Sequence, residues 1–195
     1  MGKTRLARDV GRVEAWRAYR ALSTPLVRRL ARDPRWRTVV RMAPDAAAWP
    51  GVASEGQGAG GLGERLSRAL RAHSRAPVAV IGTDAPDITP ERIRRSLRAT
   101  RAGAPVLGPA EDGGFWLLAL GRRQARRASF PGVRWSSPHT LADTIAALGG
   151  RAVLLETLAD VDDGEALRAW RRRRGRRVQS RVYDPSPSRD RVQGG

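Results

Sequence analysis

Asp84 stands three residues past the apolar run Val78, Ala79, Val80, Ile81, inside the stretch VAVIGTDAPDITPE. A carboxylate just beyond a buried strand suits a hard divalent cation, which takes carboxylate oxygens and keeps waters and substrate phosphates as its other ligands. The plainer account is a turn, with Asp84 in an Asx turn before Pro86 and Asp87 capping the turn after it. A second stretch, GPAEDGG at 108–114, joins two apolar runs through Glu111 and Asp112. Its glycines would let a ligand approach the backbone closely. Its plainer account is a tight hairpin, for which Asp-Gly is the usual signal. A third stretch holds Asp160, Val161, Asp162 and Asp163. Asp163 suits the start of a helix. Asp160 and Asp162 alternate on one side of an extended segment, and a helix cap does not account for them.

Two further stretches suit phosphate. Gly2, Lys3, Thr4 and Arg5 combine a glycine, a hydroxyl and two cations, groups that bind polyphosphate. The spacing is not that of a P-loop. Lys3 is the one lysine among 37 basic residues. The stretch QGAGGLGER, from Gln57 to Arg65, sets flexible glycines ahead of Glu64 and Arg65. It could close over a ligand or simply lead into a helix. His73 and His139 stand alone, so neither a Ser-His-Asp set nor a histidine metal pair arises.

These residues need elements to position them. The apolar spacing over 13–32 predicts an amphipathic helix, with Pro25 as a kink or boundary. Residues 38–42, 78–81, 105–108, 115–120 and 152–155 read as strands, and 50–63, with six glycines, as a loop. The all-apolar run 78–81 predicts a central strand covered on both faces. Helices are expected at 64–72, from Pro90 behind a Thr89 cap, from Pro138 behind a Ser137 cap to Gly149, and from Asp163 or Gly164 onward. Alternation of strands and helices predicts an α/β layered domain with a mostly parallel sheet. Ligands in such sheets sit beyond the carboxyl ends of the strands, where Asp84 falls.

The 195 residues suit one domain. Domain and tail divide at 1–174 and 175–195, the tail being rich in Arg, Pro and Ser and expected to be disordered. There is no Cys, which excludes disulfide and thiol chemistry. No apolar run is long enough to span a bilayer, and the N-terminus lacks a signal segment, so a cytoplasmic protein without membrane insertion is expected. The net charge of +18 favours anionic partners. The run WRRRRGRR at 170–177 could bind polyanions non-specifically. Trp16, Trp116 and Trp135 are expected in the core, and Trp36 and Trp49 partly exposed.

The stretches KTRLARDVG, QGAGGLGERL, VIGTDAPDI, GPAEDGGFWLLAL, FPGVRWSSPHTL and LADVDD occur in this order. Together they resemble a family of small bacterial GT-A-fold, glycosyltransferase-like proteins of the DUF2064 type, related to phospholactate guanylyltransferases. The resemblance covers residues 2 to about 170. It implies a GT-A-like three-layer domain and a metal ion, Mg²⁺ or Mn²⁺, on the phosphates of a nucleotide. Asp84 matches the metal position after a central strand, and Asp160 and Asp162 the later acidic ligands. Lys3, Thr4 and Arg5 match a phosphate-facing loop. Gln57, Gly60, Glu64 and Arg65 match a nucleotide-side loop, with Thr83 also beside the nucleotide.

Three departures accompany the resemblance. The family opens with an apolar strand ahead of the KTRL segment, and here Met1 and Gly2 stand there, so the first strand is expected to be missing. Gly61 stands where the family commonly has an aspartate, and Asp163 where it usually has a threonine. The expected function is a metal-dependent glycosyltransferase-like enzyme that uses a nucleotide-activated sugar donor and a small-molecule acceptor. Asp84 carries the metal, and Glu111 or Asp112 is the candidate general base. The alternatives are nucleotidyl transfer to a small phosphorylated acid, and a non-catalytic, basic nucleic-acid-binding protein.

Overall fold

The computed structural model describes residues 4–179, so Lys3 and the tail beyond 179 lie outside the described residues. Two helices open it, α1 (Thr4–Val10) and α2 (Arg12–Ala31), joined at Gly11, whose φ of 79° favours glycine. After them come β1 (Val39–Met42), β2 (Ala53–Gly56), α3 (Leu62–Ala72), β3 (Val78–Ile81), α4 (Pro90–Ala99), β4 (Val106–Pro109), β5 (Phe115–Leu120), α5 (Arg122–Arg126), α6 (Thr140–Ala147), β6 (Val153–Leu154) and α7 (Gly164–Gln179). Among these residues no helix is long and apolar enough to cross a membrane.

The main sheet has the order β3-β5-β4-β6, and β1 and β2 form a separate parallel pair. β5 runs antiparallel to both β3 and β4, while β4 and β6 are parallel. The expectation of a mostly parallel sheet is therefore met only in part. The five residues 110–114 between β4 and β5 are too few for a crossover, which takes a dozen or more, so the connection is a hairpin. β3 is a second departure. Among the described residues it bonds to one strand only, and all four of its apolar residues are half-buried. It lies at the edge of this sheet, not at its centre. No strand precedes α1 among the described residues, and β1 also bonds on one side only.

The core follows from alternation along β5. Leu117 and Ala119 face one side, with Leu26, Leu30, Ile88, Ile93 and Val106 from α2, α4 and β4 and the loop before α4. Leu118 and Leu120 face the other side, with Leu66, Leu70, Ala125 and Phe130 from α3, α5 and the loop after it. This gives helix, sheet and helix layers. Gly108 is required by that packing, since a Cβ there would lie 2.2 Å from the Trp116 ring. A third cluster joins Leu6, Ala18, Leu22, Val161 and Leu167, tying α1 and α2 to the start of α7.

Several local expectations change. The glycine-rich stretch 50–63 contains β2, because parallel pairing with β1 supplies a backbone ladder that its composition hides. α2 runs through Pro25, which faces outward. α6 starts at Thr140, since Ser137 and Pro138 form a turn in which the Ser137 hydroxyl accepts from the His139 amide at 3.2 Å. Trp116 is buried, but Trp16 is 59% exposed, because the buried stripe of α2 runs through Ala15, Ala18, Leu22 and Leu26 and leaves Trp16 off it. α7 continues to Gln179, past the expected domain end at 174.

Candidate functional site

Three loops meet at one end of the main sheet. The first, residues 82–89, leaves β3 and is pinned by the buried side chains of Ala85 and Ile88. Its backbone is held by arginines: Arg92 Nη1 donates to the Asp87 carbonyl at 2.7 Å, and Arg29 Nη2 to the Ile88 carbonyl. The second is the β4–β5 hairpin turn, where Asp112 Oδ1 accepts from the Gly114 amide at 2.8 Å. The third, residues 158–163, leads into α7. Leu158 donates its amide to the Pro109 carbonyl at 3.1 Å, and Val161 donates its amide to the Asp84 carbonyl at 3.0 Å. The third loop is thus stitched to both others by backbone bonds. Val161 is buried beside Leu6 and Leu167, and alternation then turns Asp160 and Asp162 the other way.

The result is a concentration of negative charge. The Asp160 carboxyl is pushed up to about 6, first by its half-burial and then by the charges of Asp162, Asp112 and Asp84. The charges of Asp84, Asp112 and Asp162 thus all bear on Asp160, although the four residues come from three loops. Arg5, in the first turn of α1, reaches Asp162 at 3.5 Å and places a cation at the rim. The plain helix-cap account does hold for Asp163, whose Oδ1 accepts from the Ala166 amide at 2.8 Å. The hairpin account holds for 108–114 as well, and the hairpin is what delivers Asp112.

The other expected residues divide. Glu111 is exposed in the turn and is not among the groups that shift Asp160. Thr83 is half-buried, one residue before Asp84. Thr4 opens α1. Gln57, Gly60, Glu64 and Arg65 do come together, as a loop that binds itself. Arg65 Nη1 donates to Gln57 Oε1 at 3.2 Å, Arg65 Nε to the Gly60 carbonyl at 2.9 Å, and the Gly61 amide to Glu64 Oε2 at 2.8 Å. These bonds close the loop on itself.

Sequence reasoning missed Arg29 and Arg92, whose role is to hold loop carbonyls. Arg92 had a faint signal, because it is the third residue of α4 and can reach back over the helix start. It also missed Arg41, Glu55 and His73. The β1–β2 register sets Arg41 opposite Glu55, with Nη1 to Oε2 at 2.6 Å, and His73 Nε2 lies 3.1 Å from the same oxygen. Burial pushes Glu55 up, but His73 and Arg41 together hold it below the ordinary carboxylate range.

Among the described residues, no three histidine, cysteine or acidic side chains are grouped so that together they could hold a metal ion. A complete cage is not what Mg²⁺ or Mn²⁺ asks for on a nucleotide. One or two carboxylates suffice, with phosphate oxygens and water completing the octahedron. A group of hard oxygen donors, with one carboxyl raised by its neighbours' charge, fits that chemistry. Asp84 and Asp160 are the residues that would hold the ion, with Asp162 beside them.

The profile of DUF2064, an uncharacterized protein conserved in bacteria, matches residues 20–137. That span includes Asp84, Asp112 and the loop from Gln57 to Arg65, but not Arg5, Asp160 or Asp162. No curated protein matches the chain. A crystal structure from Desulfovibrio desulfuricans G20, assigned provisionally as a nucleotide-diphospho-sugar transferase, is 26% identical, with a TM-score of 0.71. The match covers 83% of this chain and 76% of that one.

Proposed function

The chain belongs to the DUF2064 family of bacterial proteins, and from that premise we propose that it is a metal-dependent transferase acting on a nucleotide-diphospho-sugar donor. The observation that carries this reading is the gathering of Asp84, Asp112, Asp160 and Asp162 from three loops at one sheet end, with Arg5 at their rim. The likeness to the Desulfovibrio protein supports a nucleotide-activated donor.

The donor diphosphate lies beyond the carboxyl ends of β3 and β4, the usual ligand position in such sheets. Asp84 and Asp160 hold the divalent cation, and Arg5 takes phosphate oxygens through its planar fork. The cation, when bound, neutralises the charge that develops on the diphosphate leaving group. The acceptor hydroxyl attacks the sugar C1, the bond from C1 to the phosphate oxygen breaks, and a nucleoside diphosphate leaves. The acceptor proton goes to a carboxylate of the hairpin turn. Asp112 is the better candidate for this, since its charge bears on Asp160.

The test is thermal stabilisation by nucleotide sugars and nucleoside triphosphates, each with Mg²⁺ or Mn²⁺, in wild type and Asp84→Asn. A ligand that binds only the native state raises Tm by mass action. The expected result is a metal-dependent shift with a nucleotide sugar that Asp84→Asn abolishes, and release of nucleoside diphosphate on turnover. Pyrophosphate release from a triphosphate would assign nucleotidyl transfer instead. No metal-dependent shift with any nucleotide would sink the proposal.

A further inference from the structure

The outer face of α2 carries charge that a transferase site does not use. Arg20, Arg28 and Arg32 are exposed there, and no described residue pairs with their side chains. With Ala21, Thr24, Pro25 and Arg29 they line a shallow, open stretch of the helix surface. The one acid of the helix, Glu14, is taken by Arg17 and Arg171. Arg28 and Arg32, four residues apart, repel one another on the helix surface. Attraction to the negative C-terminal end of α2 accounts for Arg28, Arg29 and Arg32. It does not reach Arg20, three turns earlier.

The same helix carries an exposed aromatic. Trp16 stacks on Tyr19 with centroids 5.7 Å apart and planes at 25°, one turn before Arg20. The helix surface therefore reads as an aromatic platform followed by a row of cations. Arg20 and Arg32 are about 18 Å apart along the axis at 1.5 Å per residue.

We propose that this face of α2, from Trp16 to Arg32, is a track for single-stranded nucleic acid. Bases stack on Trp16, and the phosphate backbone follows Arg20, Arg28 and Arg32. Aromatic platforms beside a basic groove are how proteins bind single strands without reading their sequence. An acidic membrane is the weaker match. The large apolar residues of α2, among them Leu22, Leu26 and Leu30, are buried in the core, and only Val13 and Trp16 remain outside for insertion. The track uses none of the site aspartates, so it stands or falls apart from the transferase reading.

The experiment titrates full-length protein into a fluorescein-labelled oligonucleotide of about 20 thymidines and reads anisotropy at several salt concentrations. The variants are Arg20→Gln/Arg28→Gln/Arg32→Gln, Trp16→Ala, and a tail variant with Arg176, Arg177, Arg181, Arg189 and Arg191 replaced by Gln. The triple variant is expected to bind at least tenfold more weakly, with the slope of log K against log salt smaller by about 2, as loss of three phosphate contacts predicts. Trp16→Ala is expected to weaken binding at least fivefold and to remove part of the tryptophan quenching. Unchanged Tm in both variants confirms that the fold is intact. The proposal is overturned if the triple variant binds like wild type, if the tail variant alone abolishes binding, or if the wild type binds anionic vesicles but no oligonucleotide.

Discussion

The amide of Val161 donates to the carbonyl of Asp84 across 3.0 Å, joining two loops that are 77 residues apart in the chain. This bond ties the backbone between Asp160 and Asp162 to the loop that carries Asp84. A strand-end aspartate alone makes a turn. With two more carboxylates brought across from the entry to α7, it makes a candidate site.

Asp160 should make stability depend on pH in an unusual sense. Its carboxyl holds its proton more tightly in the fold than in the unfolded chain, rising to about 6 through burial and the charges of Asp162, Asp112 and Asp84. Its contribution is therefore full below the ordinary carboxylate range and is lost as pH rises through about 6. Asp160→Asn should be more stable than wild type at pH 8 in metal-free buffer, by about 1 kcal/mol after discounting for solvent screening. The two proteins should melt alike near pH 4. Mg²⁺ should narrow the gap at pH 8. Differential scanning calorimetry over this range decides it, and a constant difference at all pH values would count against the raised carboxyl.

Arg92 should act on ligand binding without touching ligand. Its guanidinium bonds both Glu156 and the Asp87 carbonyl, three residues past Asp84. Arg92→Ala should lower stability by roughly 1–2 kcal/mol. It should also shrink the metal-dependent Tm shift with a nucleotide sugar. Arg92→Lys keeps the charge but not the fork, and should recover part of the stability and little of the shift. A full shift in Arg92→Ala would show that the buried Ala85 and Ile88, with Arg29 on the Ile88 carbonyl, hold the loop without Arg92.

Gly113 should tolerate no side chain. Its φ is +83°, and a Cβ there would lie 2.4 Å from the Pro138 carbonyl oxygen. Its own carbonyl accepts from the Leu141 amide at 2.9 Å. The hairpin turn and the start of α6 are thus in backbone contact at this residue. Gly113→Ala should cost about 2–4 kcal/mol, from left-handed strain plus the displaced backbone. Urea denaturation should show a lower midpoint with an unchanged slope.

Gly61 offers the opposite change. It is the N-cap of α3 with φ −76° and ψ 177°, and a Cβ there meets nothing within 4 Å. Gly61→Asp adds a side-chain acceptor for the open amides of the first turn and a negative charge at the helix start. A gain of about 0.5 kcal/mol is expected, read as a Tm rise of a few degrees. A loss would mean that the added carboxylate is repelled by Glu64, which already accepts from the Gly61 amide.

Much of the site was legible because its signals are local. Asp84 after an apolar run, Asp160 and Asp162 at alternate positions, and Asp-Gly in a hairpin all lie within a few residues of what explains them. Arg41 opposite Glu55 was hidden, because the strand holding Glu55 sits in a glycine-rich stretch and forms only when β1 supplies its ladder. Arg29 was hidden because its partner, the Ile88 carbonyl, is 59 residues away and has no side-chain identity to betray it. Trp16 misled because its size argues for burial, while its position on α2 lies off the stripe that packs.

The sequence by itself determined the class of fold, the order of most of its elements, and the acidic stretches that could serve a nucleotide. Those follow from apolar period, caps and turn residues, which act over a few positions. Only the tertiary structure decided that the charges of Asp84, Asp112 and Asp162 bear on Asp160, that β5 runs against its neighbours, and that Arg20, Arg28 and Arg32 face solvent together. Those depend on which distant backbone groups find each other and on which side of each helix the core takes. Hydrogen bonding and burial settle such matters across the whole chain at once.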